Sequence, residues 1–161
     1  FEALKMVGIG DELLDVSPLE LSGGEKRRVA IAGILAMKPE VLILDEPTAG
    51  LDPKGKDEIL ELIYSLNRDR HITVILVSHN MEDVAKYADR VVVMENGRIH
   101  CMGTPGEVFS DYRGLHNIGL AAPEAMYILS RLREAGAPVR TDVITAEGAA
   151  KEILRLLRKE K

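Results

Sequence analysis

The sequence holds a single cysteine, Cys101, in 161 residues, so no disulfide can close within the chain. That scarcity fits a reducing compartment. A small apolar strand residue is the plainer reading of Cys101 than a catalytic thiol. No apolar run approaches the ~20 residues that span a bilayer, so a membrane role would require a partner subunit. No stretch reads as a secretory signal. A basic excess is missing too: 21 Lys and Arg stand against 26 Asp and Glu, for a formal net charge of −5. With no basic stripe over the main body, composition does not point to nucleic acid. The basic run Lys151, Arg155, Arg158, Lys159 and Lys161 reads as the solvated face of a helix.

What is present suits a soluble α/β protein long enough to bury a core. The hydrophobic fraction is 46% and the charged fraction 29%, both ordinary. The chain begins at Phe1, without methionine and inside what reads as a helix, so it looks like a piece of something longer.

Residues 2–7 (EALKMV) read as the end of a helix stopped by Gly8 and Gly10. Ser22 opens the next helix, with Glu25 three positions on in a capping box, and the helix is expected to run to Pro39. "VLILD" (41–45) is continuously apolar, as strands buried on both faces of a parallel sheet are. Asp52 and Pro53 start a further helix, whose Ile59, Leu62, Ile63 and Leu66 share a face. "ITVILVS" (72–78) predicts a second buried strand, and a helix follows from Met81 to Tyr87. "RVVVM" and "RIHCM" flank Asn96-Gly97, a strong hairpin signal. Thr104-Pro105 caps a short helix to Phe109. The alternation argues an α/β layer with a mostly parallel sheet. Residues 113–121 suit a linker. Helical patterns follow at 123–135 and 145–159, the second expected to bury Ala149, Ala150, Ile153, Leu154 and Leu157.

Three short motifs could carry chemistry, each weak alone. "LSGGE" (21–25) places two glycines at a helix start, where free N–H groups and the dipole favour an anion and the backbone can be approached closely. A glycine-softened cap would explain it equally well. "LILDE" ends a strand on Asp45 and Glu46, at the sheet edge where α/β proteins bind ligands. Asp45 could serve Mg²⁺ through water, and Glu46 could orient or deprotonate an attacking water. Acids often end strands, however. His79 follows the second strand in "VSHN"; a lone histidine is more often structural, but this one belongs to the same sheet edge. The run "GLDPKGKD" (50–57) mimics a phosphate-binding loop and is rejected. Asp57 replaces the hydroxyl that should reach Mg²⁺, Pro53 removes a donor, and Asp52 would oppose phosphate.

Together, "LSGGEKRRVAIAGILAMKPEVLILDEPTAGLDP" and "VSHNMEDVAKYADRVVVMENGRI" resemble the nucleotide-binding domain of ABC ATPases, over roughly residues 1–112. "KRRVAIAG", "GTPGEVF", "GLAAPEA" and "TAEGAAKEIL" are most similar to the energy-coupling ATPases of ECF-type cobalt, nickel or vitamin importers. The resemblance implies a P-loop NTPase core, a mostly parallel sheet flanked by helices and incomplete at its N-terminal side. Residues 113–161 would be a small helical appendage and a candidate dimerisation element.

It also implies roles. Ser22, Gly23 and Gly24 would contact the γ-phosphate of ATP on the other subunit of a head-to-tail dimer. Asp45 would serve Mg²⁺, Glu46 would be the catalytic carboxylate and His79 the switch histidine. Asp52 would lie in the loop that communicates across the dimer. Glu25 departs from the commoner glutamine; it can accept from a ribose hydroxyl but cannot donate. The implied partners are a second ATPase subunit and transmembrane transporter subunits, with no nucleic acid, at the cytoplasmic face of the cell membrane. The phosphate-loop lysine, the Q-loop glutamine and the aromatic base-stacking segment do not occur; in the family they belong to the N-terminal half. Two other functions fit part of the pattern: an ABC-type ATPase of DNA maintenance, disfavoured by the acidic charge and absent heptads, and a non-catalytic dimerisation fragment.

Overall fold

The computed structural model describes residues 1–159; Lys161 of the basic run lies outside them. The chain forms two compact units, Phe1–Ser78 and His79–Lys161, taken here in turn.

In the first unit α1 (Glu2–Met6) ends before Gly8, whose φ of +71° no β-carbon hinders. α2 (Gly23–Leu35) starts from the expected capping box. Ser22 Oγ accepts from the Glu25 N–H at 3.3 Å, and Glu25 Oε2 accepts from the Ser22 N–H at 2.7 Å. The helix stops at Leu35, short of Pro39, and Lys38 turns the chain with a φ of +53°. β1 (Val41–Asp45) leads through a loop to α3 (Pro53–Arg70), and β2 (Thr73–Val77) returns parallel to β1, from Val41↔Thr73 to Asp45↔Val77. Asp52 caps α3 by accepting from the Gly55 N–H at 3.2 Å. A β-carbon on Gly55 would lie 2.8 Å from that carboxylate oxygen, so a larger residue there would make the Asp52 side chain shift. Residues 50–57 are thus a helix start and no phosphate loop, as the rejected mimic required.

The strands correct one expectation. β1 is buried on one face, not two, and β2 is half-buried on one face. Leu42 and Leu44 pack with Ile31, Leu35, Ile59, Ile63 and Leu66, each such side chain contributing ~1.5–3 kcal/mol. On the other face Val41, Ile43, Ile75 and Val77 stay 49%, 64%, 48% and 48% exposed. The reason is coverage: α2 and α3 line a single side of the pair, so an unbroken apolar run ends up alternating in burial.

The second unit opens with α4 (Met81–Tyr87), capped by Asn80. β3 (Val91–Glu95) and β4 (Arg98–Gly103) form the expected antiparallel hairpin. Its turn residues Asn96 and Gly97 have φ of +49° and +74°, the pair of positive values that a two-residue hairpin turn of type I′ requires. α5 (Pro105–Ser110) starts from a second capping box, Thr104 with Glu107. The expected linker is in part a helix, α6 (Tyr112–Asn117). Asp111 caps it by accepting from the Gly114 N–H at 3.0 Å, and Leu115 anchors it in the cluster around Phe109.

α7 (Glu124–Glu134) and α8 (Ala146–Lys159) follow where the periodicity puts them, but α8 is rotated from expectation. Ala149, Ile153 and Leu156 face Leu129 and Val139, while Ala150, Leu154 and Leu157 are exposed. Glu152 takes a core-side slot at 7% exposure. It can do so because Arg155 Nη2 lies 2.6 Å from one carboxylate oxygen, which also accepts from the Arg140 N–H at 2.9 Å.

The hydrogen bond from Arg155, and then that from Arg140, hold the Glu152 carboxyl below its ordinary value. A lowered carboxyl pKa stabilises above the unfolded value and ceases to as pH falls through the folded one. Amide-exchange protection of α8 is therefore expected to hold at neutral pH and fall in the acid range. Glu152→Gln should flatten that dependence, and an equal acid loss in the variant would assign the effect to other groups.

Candidate functional site

The two N-terminal ends of α2 and α3 lie side by side in the first unit. Ser22, Gly23 and Gly24 from one, and Gly50, Leu51 and Asp52 from the other, line a cleft of about 230 Å³. Four of the expected site residues are thus brought together: Ser22, Gly23, Gly24 and Asp52. First-turn N–H groups have no partner within a helix, and the dipole makes that end positive. Ser22 Oγ accepts from the Glu25 N–H, and its own O–H is shared with the Glu25 carboxylate. The two glycines differ. A β-carbon on Gly23 would meet Leu51 at 3.4 Å, whereas one on Gly24 would meet nothing within 4 Å. Among the described residues no packing contact requires glycine at Gly24, and the backbone there is open to approach.

Glu25 turns its carboxylate inward to the capping box. Hydrogen bonds to the Ser22 side chain and then to its backbone hold that carboxyl below its usual range, so it is an ionised acceptor near neutral pH. Two charges not expected from the sequence border the cleft, Arg28 and Lys54, and Glu58 stands between them. Nothing local marks these three as site residues, since they meet across helices.

Asp45 and Glu46 lie outside that cleft, at the carboxyl end of β1. Asp45 is exposed opposite Val77. Glu46 carries the pairing one step further, its N–H donating to the Val77 carbonyl at 3.0 Å. Its φ of +45° is uncommon for a residue with a β-carbon, and such conformations gather at functional sites. Among the described residues no group of three or more His, Cys, Asp or Glu is placed to hold a metal ion. One exposed carboxylate fits Mg²⁺ only in the way that ion is often held, with waters and substrate phosphates completing the shell. His79 belongs to the second unit, exposed, immediately before the Asn80 cap of α4.

Residues 1–49 match the family model described as ABC transporter. The energy-coupling factor transporter ATP-binding protein EcfA2 of Caldanaerobacter subterraneus subsp. tengcongensis is 56% identical over 158 residues, 98% of this chain and 55% of its own length. Among solved structures, cbiO1 from Clostridium perfringens, part of the ABC transporter complex cbiONQ, is 46% identical with a TM-score of 0.63, over 73% of this chain and 46% of its own. A dimeric ATP-binding cassette in a post-hydrolysis state, bound to ADP and Pi, is 32% identical with a TM-score of 0.55, over 65% of this chain and 44% of its own. The chain spans about half the length of the curated relatives it matches. The chain carries part of an ABC transporter ATPase domain.

Proposed function

We propose that this chain supplies the LSGGE face (residues 21–25) and the catalytic strand end of an ATPase subunit that powers an ECF-type importer of cobalt, nickel or a vitamin. The observation that carries the reading is the open backbone at Gly24, set with Ser22, Gly23 and Asp52 on one cleft. A surface with donors, a positive helix end and no side chain in the way suits a triphosphate presented by another body. The dimeric relative supports a second ATPase subunit as that body. Ser22 would donate to the γ-phosphate, Gly23 and Gly24 would admit it, and Asp52 would border the subunit junction. Glu25, held in its capping box, would keep Ser22 in place and offer its remaining acceptor capacity to the ribose.

Glu46, at the end of β1, would take the proton of the attacking water; His79, the first residue of the second unit, would serve as the switch histidine toward the γ-phosphate. Asp45 would hold Mg²⁺ through water, and that ion would neutralise charge on the phosphates. Residues 1–112 would form the ATPase portion and 113–161 an appendage that helps subunits pair. Among the described residues no helix is long and apolar enough to cross a membrane, so transmembrane subunits would carry the cargo and hold this one at the cytoplasmic face.

The donors for ATP's own phosphates would come from a phosphate loop that these residues do not include. Residues 1–161 alone are therefore expected to show no tight ATP binding by calorimetry, while the subunit extended with that loop should hydrolyse ATP. Tight binding by 1–161, or an extended subunit without hydrolysis, would overturn the proposal.

A further inference from the structure

Arg28 on α2 reaches Glu58 on α3 across the cleft, Nη1 to Oε2 at 2.8 Å, with the two side chains 21% and 43% exposed. Lys54 approaches the other oxygen of the same carboxylate at 3.7 Å. The Nε of Arg28 is buried with no hydrogen-bond partner. Glu58 is thus the one hydrogen-bonding partner of this guanidinium among the described residues, and it fixes where the arginine points. Arg28 stands one helical turn beyond Gly24, and Glu58 follows the Asp52 cap on the first turns of α3. Further along, the same two helices are joined by apolar packing, with Ile31 and Leu35 meeting Ile59 and Ile63. The ion pair therefore acts at the mouth of the helix pair, where apolar contact gives way to the cleft.

We infer that Arg28 is a positioning residue: through Glu58 it sets the spacing between the Ser22–Gly24 edge and the Asp52 segment, and so the width offered to the neighbouring subunit's phosphate. This rests on the reading of the cleft given above. The pair does not touch the reacting atoms. Its effect is to hold the Ser22–Gly24 helix start and the Asp52 segment in one register, and small misplacements of such surfaces carry large rate penalties.

The test uses the complete subunit with Arg28→Met, Arg28→Lys, Glu58→Gln and the Arg28→Met/Glu58→Gln double variant. Arg28→Met should lower kcat about tenfold, while the ATP affinity of the isolated subunit and its Tm stay near the parent's. Glu58→Gln should do the same, the double variant should be no worse than either, and Arg28→Lys should recover part of the rate. Three results would overturn the inference: kcat within about twofold of the parent in Arg28→Met, additive losses in the double variant, or a rate loss that follows the loss of folded protein. A Ser22→Arg control separates the two claims. If it is fully active, the cleft reading itself fails; if it is inactive while Arg28→Met is active, only the positioning role fails.

Discussion

In a complete subunit, Glu46→Gln is expected to bind ATP and keep it. Glutamine preserves the size of the side chain and one acceptor, but it cannot take a proton. Loss of a positioned base typically costs ~10²–10⁴ in rate. The backbone at Glu46 should be undisturbed, because its N–H stays bonded to the Val77 carbonyl. Binding and chemistry should therefore separate: nucleotide retained on a persistent dimer, with single-turnover hydrolysis nearly gone. A hydrolysis rate near the parent's would assign the base to another group.

Ser22→Arg should abolish activity by a different route, and its rescue identifies which subunit Ser22 serves. The arginine side chain would fill the approach that the open backbone at Gly24 permits. Mixed with a second variant whose phosphate loop is disabled, it would form a heterodimer with one site built from two intact surfaces and one from two defective ones. Hydrolysis should return on mixing. If each subunit completed its own site, every site in the mixture would carry one defect and activity would stay at the level of the separate variants. No recovery over a range of ratios, with heterodimers shown to form, would remove the trans assignment.

What could be read from the sequence was local. The two capping boxes, Ser22 with Glu25 and Thr104 with Glu107, join residues three apart and are legible as spacing alone. The Asp52-Pro53 helix start and the Asn96-Gly97 turn are equally short-range. The identities of Ser22, Gly23, Gly24, Asp45 and Glu46 were legible as a pattern. Their grouping was not. Ser22 meets Asp52 on one cleft, and Arg28 meets Glu58, only because α2 and α3 pack side by side.

The misread elements share a cause. "VLIL" predicts burial on two faces, but burial depends on what covers each face. Periodicity predicts Leu154 and Leu157 on the inner face of α8; instead they are exposed, and Glu152, satisfied by Arg155 and Arg140, takes the core side. Periodicity counts apolar residues and cannot see a charge that has found partners.

The bare face of Val41, Ile43, Ile75 and Val77 governs how this polypeptide behaves as a colloid. Contiguous apolar surface of that kind invites self-association, and a two-stranded pair offers unpaired ladder groups along its outer edges as well. The opposing influence is a net charge of −5 shared by every molecule. Chloride salts weaken only that repulsion, by screening it. Sulfate screens it too and also strengthens apolar burial, so at matched ionic strength sulfate is the harsher solvent for these residues on their own.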